Sequence, residues 1–224
     1  MNVRYYHSWS FHNLLVWLLL YILVSPILAT LPAANILVSL LMSAILFSAV
    51  YVINRQSKMF TGTIILMGVT LILFWGDVFN LFSFTGMASS GILCLYLGLL
   101  SFSIGRIIFS ARTVTPALIS GALCLYLIFG MFWGSLYFIL ELFQPGSFVG
   151  DLLSNPEKNS DLLHYFQYFS FVTLTTLGYG DILPQTKIAT AFCQLEAIIG
   201  QFFMAVLVAR FVGIHVAQEF STNK

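Results

Sequence analysis

The chain has 224 residues, of which 59% are hydrophobic and only 8% charged, with a formal net charge of +1. A soluble domain carries about 25% charged residues, so this sequence cannot cover a water-facing surface and reads as an all-α membrane protein. With no basic stripe to neutralise phosphates, nucleic acid is excluded as a partner.

Apolar stretches long enough to span, roughly 17–25 residues each, fall at about 13–31, 34–54, 60–82, 87–109, 114–141 and 187–213. They predict six transmembrane helices. The first follows Arg4 and could be taken for a signal peptide. Its apolar run, Leu14 to about Leu31, exceeds the roughly 7–15 residues of a signal core and predicts a retained helix. Arg55 and Lys58 separate the second and third spans. Asp77 sits about 24 Å along the third at 1.5 Å per residue, where it caps or hydrates at the outer boundary. The fourth offers Arg106, which snorkels to the headgroups, with Arg112 just beyond the end. Each charge moved through the field is worth about 2.3 kcal/mol per 100 mV. Residues 1–112 therefore predict a charge-poor four-helix membrane domain and no steep voltage sensor. Cys94, Cys124 and Cys193 lie inside apolar runs without metal-ligand spacing and read as small buried hydrophobes. His7, His12, His164 and His215 fall near membrane edges, where interfacial packing explains each.

Between the fifth and sixth spans lies a long polar excursion, 142–186. Gln144 to Asp161 contains Pro145, Gly146, Gly150 and Asn155-Pro156, which are loop formers. Leu162 to Thr175 has no Gly or Pro, and at about 14 residues is too short to span, so it predicts a re-entrant half-helix. Thr-Leu-Thr-Thr-Leu-Gly-Tyr-Gly-Asp follows at 173–181, a poor helix and a poor strand. Non-helical backbone at membrane depth survives only when buried in protein or lining a water-filled path.

Six spans put Arg4, Arg55, Lys58, Arg106, Arg112, Arg210 and Lys224 on one side, which predicts that side as cytoplasmic. The other side receives Asp151, Glu157, Asp161 and Asp181, plus Lys158 and Lys187. The expectation is a multi-pass plasma-membrane protein of bacterial type with both termini in the cytoplasm. In the sixth span, Glu196 is a carboxylate at a depth where charge is expensive, which marks a candidate functional site. Gly200 costs about 1 kcal/mol relative to Ala inside a helix, so either bending or close packing is its reason. Gln201, Met204, Val208 and Val212 share one helix face.

Half-helix, glycine loop and flanking helices over about 114–213 resemble the pore module of tetrameric potassium channels. The resemblance rests on Thr175-Thr176-Leu177-Gly178-Tyr179-Gly180-Asp181. It implies a homotetramer that conducts K+ passively, with a pore domain at 113–213 and a short cytoplasmic tail at 214–224. The carbonyls of Thr176, Leu177, Gly178 and Tyr179, through Gly180, with the Thr176 hydroxyl, would form the ion ladder. Tyr179 would point off-axis and brace against Tyr168 and Phe169. Thr175, Asp181, Glu196 and Glu141 are the supporting residues, Glu141 by anchoring the outer pore through hydrogen bonds. Glu196 either makes a structural hydrogen bond or stands in for the carboxylate that some family members carry at the position of Val172. Gly200, Gln201, Met204, Val208 and Val212 would form cavity and gate. Leu177 stands where the family most often has Val, and its unbranched Cβ restrains the backbone less. The alternatives are thus a weakly selective monovalent cation channel and, from another class, a non-conducting scaffold subunit. No catalytic or metal-ligand constellation points to an enzyme, and no cofactor is implied beyond K+. Partners are K+, the lipid bilayer, copies of the chain and, because the tail is too short to sense ligands, an unknown regulatory chain.

Overall fold

The computed structural model describes residues 6–28, 34–52, 58–79, 85–153 and 159–222. Arg4, Arg55, Asn155-Pro156, Glu157, Lys158 and Lys224 lie outside the described residues, as do the side chains of His7, Lys58, Asp77 and Asp161. In chain order the elements are α1 (Tyr6–Leu28), α2 (Ala34–Val52), α3 (Lys58–Val78), α4 (Thr85–Ser110) and α5 (Pro116–Phe143). Then come β1 (Phe148–Val149), a 3-10 turn at Asp151–Leu153, α6 (Asn159–Leu174), β2 (Leu183–Pro184) and α7 (Lys187–Thr222).

Among the described residues, four helices are long and apolar enough to cross a membrane: α1, α4, α5 and α7. Helices α2 and α3 contribute shorter apolar stretches, Ile36–Val52 and Phe60–Gly76. Two boundaries differ from the sequence expectation. Helix α1 begins at Tyr6, ahead of its most apolar run, because Phe11 and Leu14 already turn onto the core. Helix α7 continues through Gly213 to Thr222, so residues 214–222 of the expected tail form the helix's last turns. Nothing from Ile214 to Phe220 breaks a helix, and His215 faces Glu219 one turn on at 3.7 Å.

One apolar core ties α1, α2, α4 and α5 together, with Leu14, Leu18, Leu46, Leu97 and Ile128 fully buried. Helix α1 lies tight on α5, where a Cβ added at Gly121 would sit 3.0 Å from the Phe11 ring. Cys94 and Cys124 are buried and Cys193 is half-buried, all unpaired.

The connection from α4 to α5 is short and pinned at both ends. Thr115 caps α5, its Oγ1 accepting from Leu118 N at 3.2 Å, and Pro116 opens the helix, where its missing N–H costs nothing. From α7, Arg210 Nη2 donates to the carbonyls of Phe109 (2.8 Å) and Ala111 (2.9 Å), which the end of α4 leaves without helical partners. Gln218 Oε1 accepts from Val114 N at 3.3 Å.

Candidate functional site

At the opposite end of α5, helix α6 is drawn close by a small-residue pair. A Cβ added at Gly134 would lie 2.6 Å from the Gln167 backbone, and one at Gly130 would enter the Phe171 ring. Gly130 and Gly134 are four apart and so share a face, the Gly-x-x-x-Gly arrangement that lets two membrane helices touch backbone to backbone. On α6, Gln167 Oε1 accepts from Tyr21 Oη of α1 at 3.1 Å, and His164 stacks obliquely on the same tyrosine. Beyond α5, Glu141 holds the turn by accepting from Gly146 N (2.7 Å) and Phe148 N (3.1 Å). Strands β1 and β2 pair antiparallel, Phe148 with Pro184 and Val149 with Leu183. Gly150 is needed there, because a Cβ would strike the Asp181 carbonyl.

The loop between α6 and β2 has an unusual backbone. Thr176 (φ 58°), Gly178 (φ 58°) and Gly180 (φ 77°) are left-handed, alternating with Leu177 and Tyr179. Glycine adopts this region freely, but for β-branched Thr it is a genuine outlier costing on the order of 1–3 kcal/mol. Thr176 is the one non-glycine with positive φ among the described residues. The N–H groups turn back onto the end of α6: Thr176 N donates to Thr173 O (3.0 Å), while Leu177 N (3.0 Å) and Gly178 N (3.3 Å) share Val172 O. The carbonyls of Thr176, Leu177, Gly178 and Tyr179 accept no hydrogen bond among the described residues. Free carbonyls in series, with the N–H groups of Thr176, Leu177 and Gly178 tied behind them, can take a dehydrated cation.

Behind this loop sits a buried polar cluster. Glu196 on α7 is 0% exposed. Tyr137 Oη of α5 donates to its Oε2, and Ser170 Oγ of α6 lies against its Oε1 and within 2.8 Å of the Gly130 carbonyl oxygen. One carboxylate thus joins three helices. Tyr137 is ringed by Phe148 and Phe169, with Phe166 beyond. At the loop's far end, Tyr168 Oη donates to Asp181 Oδ2 at 2.6 Å, and Asp181 Oδ1 accepts from Ile182 N at 3.1 Å. The bond to Asp181 first, and desolvation second, push the Tyr168 phenol up to about 12.

Tyr179 is exposed and makes no ring contact with Tyr168 or Phe169 within the chain. The Tyr168 hydroxyl is taken by Asp181, and the Phe169 ring by Tyr137 and Phe148. Gly200 packs against the end of α6, where a Cβ would fall 2.6 Å from Leu174 Cδ1 and 3.2 Å from its carbonyl. Helix α7 runs through it unbroken. Gln201, Met204, Val208 and Val212 share an exposed face. Thr175 Oγ1 bonds back to Phe171 O at 2.7 Å.

Residues 117–216, which comprise nearly all of α5, the loop and most of α7, match a protein family described as ion channel. The potassium channel protein kcv of Paramecium bursaria Chlorella virus 1 is 31% identical over 73 residues, covering 32% of this chain and 76% of that protein. The chain belongs to the potassium channel family. No solved structure gives a significant match. Membership makes it a multi-pass membrane protein and points to a non-enzymatic ion channel.

Several parts of the channel's site were beyond reach of sequence reading. Tyr137 and Ser170 carry no signal that they meet Glu196, and the strained φ of Thr176 is invisible in its residue type. Gly130-x-x-x-Gly134 was a readable signal for the α5–α6 contact.

Proposed function

We propose that the protein is a potassium-selective channel in which four copies surround one carbonyl-lined filter. The observation that carries this reading is the 176–180 backbone, left-handed at alternate residues, with unpartnered carbonyls and N–H groups hooked onto α6. One chain supplies one strand of such a ring, and a closed ring of oxygens needs symmetry-related copies. The bareness of α7 supports assembly: 11% of its most apolar stretch is buried, against 56% for α5. Thr176, Leu177, Gly178, Tyr179 and Gly180 then form the ion path, with the hydroxyl of Thr176 at its inner end. Thr175, Asp181, Glu196 and Glu141 hold it. Gly200 sets the packing of α7 on α6, and Gln201, Met204, Val208 and Val212 line cavity and gate. The C-terminal end of α6 places its partial negative charge where a cation waits.

In this reading α1–α5 and α7 all span, both termini are cytoplasmic, and the filter lies on the outer side of a plasma membrane of bacterial type. Helix α4 carries Arg106 and little else to move in the field, so opening is not steeply voltage-dependent. Regulation comes from the four-helix domain or another chain.

Leu177, whose unbranched Cβ restrains the backbone less than the Val usual in the family, favours one second reading: a looser, weakly selective monovalent cation pore. Potassium flux from liposomes containing the purified protein, against its Gly178→Ala variant, tests conduction. Ala at φ 58° is strained by roughly 1–2 kcal/mol in each subunit, so flux is expected to vanish. Equal flux in both proteins would remove the filter from the account.

A further inference from the structure

Helix α1 is fixed to the pore unit at two levels. Near its start the Phe11 ring covers Gly121 of α5, and Cys124 Sγ of α5 donates to the Phe11 carbonyl at 3.4 Å. About 15 Å further along, at 1.5 Å per residue, α1 presents Tyr21 to α6. The Tyr21 hydroxyl donates to Gln167 Oε1 at 3.1 Å and lies 3.5 Å from His164 Nδ1. Positions 164 and 167 are one helical turn apart, so a single phenol oxygen bridges two residues on one face of α6.

Gln167 is a costly residue for that place. It is 4% exposed and Tyr21 is 2% exposed, and Gln167 Nε2 is buried without a partner. The bond from Tyr21 is thus the side chain's one hydrogen bond among the described residues. An apolar side chain would fill the space without burying an amide. What the bond adds over packing is direction. Helix α5 meets α6 here through glycines, a Cβ at Gly134 falling 2.6 Å from Gln167 Cα. Such a face lets the helices touch but offers no side chain to stop one sliding along the other. Ser170 ties α6 to α5 and α7, and Tyr168 ties it to Asp181. Tyr21 supplies the tie from the four-helix domain. The register of α6 matters because its last turn carries the loop: Val172 O, which takes the N–H groups of Leu177 and Gly178, lies about 8 Å from Gln167 along the same helix.

We propose that Tyr21 is a positioning residue for the filter: through Gln167 it sets the register of α6, and so the placing of the carbonyls at 176–179. This rests on reading 176–180 as the potassium-binding strand. Tyr21 lies outside residues 117–216, the stretch that matches the ion channel family, so the first helix becomes part of the ion site of its own chain.

The test measures the melting temperature of the purified full chain against potassium chloride concentration, with choline chloride holding ionic strength constant. A cation that binds only the folded filter raises that temperature with concentration, which gives an apparent potassium affinity. Tyr21→Phe keeps the ring and should weaken that affinity about fivefold, the factor that corresponds to one neutral hydrogen bond. Tyr96→Phe is the matched control: its hydroxyl is as deeply buried and donates to Leu46 O at 3.0 Å, inside the four-helix domain. It should lower melting at every potassium concentration and leave the affinity unchanged. Gln167→Met reads the same bond from α6, even if Tyr21→Phe does not assemble, and should weaken affinity as much. The double variant should be no weaker than Gln167→Met alone. Wild-type affinity in Tyr21→Phe or in Gln167→Met, an equal loss in Tyr96→Phe, or losses that multiply in the double variant would overturn the proposal while leaving the filter in place. A wild type that melts alike at all potassium concentrations would remove the filter reading and this inference together.

Discussion

The half of the α5–α6–α7 unit that carries the 175–181 loop and the α1–α4 bundle are both greasy, yet they are held in different ways. Around the filter loop, charged and hydroxyl side chains bridge separate elements: Glu196 to Tyr137 and Ser170, Tyr168 to Asp181, Glu141 to the turn. In the bundle, polar side chains such as Ser43 and Thr70 bond within their own helix, to Ser39 O and Leu66 O, each at 2.7 Å. Cross-helix bonds there are neutral and scattered, such as Trp75 Nε1 to Ser43 Oγ and Tyr96 Oη to Leu46 O. Apolar packing suffices where an element needs only to stay in place. Backbone oxygens that must be fixed against a strained φ at Thr176 require directional bonds.

Breaking that contrast should hurt most at Glu196. Glu196→Ala removes the carboxylate that accepts from Tyr137, at about 1–3 kcal/mol for that buried hydroxyl, and leaves Ser170 with the Gly130 carbonyl alone, so the assembly should melt lower and potassium flux should be lost. Glu196→Gln keeps the shape and separates charge from hydrogen bonding. If conduction, selectivity and inactivation are all unchanged in it, Glu196 acts only as a structural bridge.

Next comes Gly200→Ala, whose Cβ would lie 2.6 Å from Leu174 Cδ1. Overpacking of this kind costs about 1–3 kcal/mol, and flux should fall several-fold. Shortening Leu174 to Ala in the same chain should restore part of it. A Gly200→Ala channel with normal flux and melting would show that α6 and α7 can separate there freely.

Tyr168→Phe should have a smaller effect, about 1 kcal/mol for one half-exposed bond, seen as quicker loss of conduction under sustained flux. The sign with pH is set by the raised phenol. With its proton held up to about 12, the bond to Asp181 is present at neutral pH and is lost as pH rises through that value. Wild type and Tyr168→Phe should therefore differ at neutral pH and converge only at extreme alkalinity. Smallest is Ser43→Ala in the bundle, which frees Trp75 Nε1 and should cost about 1 kcal/mol of stability with flux unchanged. A loss of flux there would erase the distinction between the two regions.

Much of this was legible in the residues. Apolar runs locate the helices, the absence of Gly and Pro over 162–175 marks α6, and glycines at 178 and 180 mark a backbone that leaves regular structure. Glu196 stands out as a carboxylate among apolar neighbours. What was not legible depends on distances between elements. The partners of Glu196 come from α5 and α6, and only the fold brings them together. Tyr168 is a hydrogen-bond donor to Asp181, a choice its residue type leaves open. Helices α1 and α7 run past the apolar stretches that the sequence marks, because hydropathy reports where lipid is tolerated, whereas helical hydrogen bonding continues into polar residues.

The most direct test of the central claim is the reversal potential of the reconstituted wild-type protein under opposed potassium and sodium gradients. Fixed filter carbonyls predict a potential that follows the potassium gradient and is indifferent to sodium. A potential lying midway between the two, or no current at all, would contradict it.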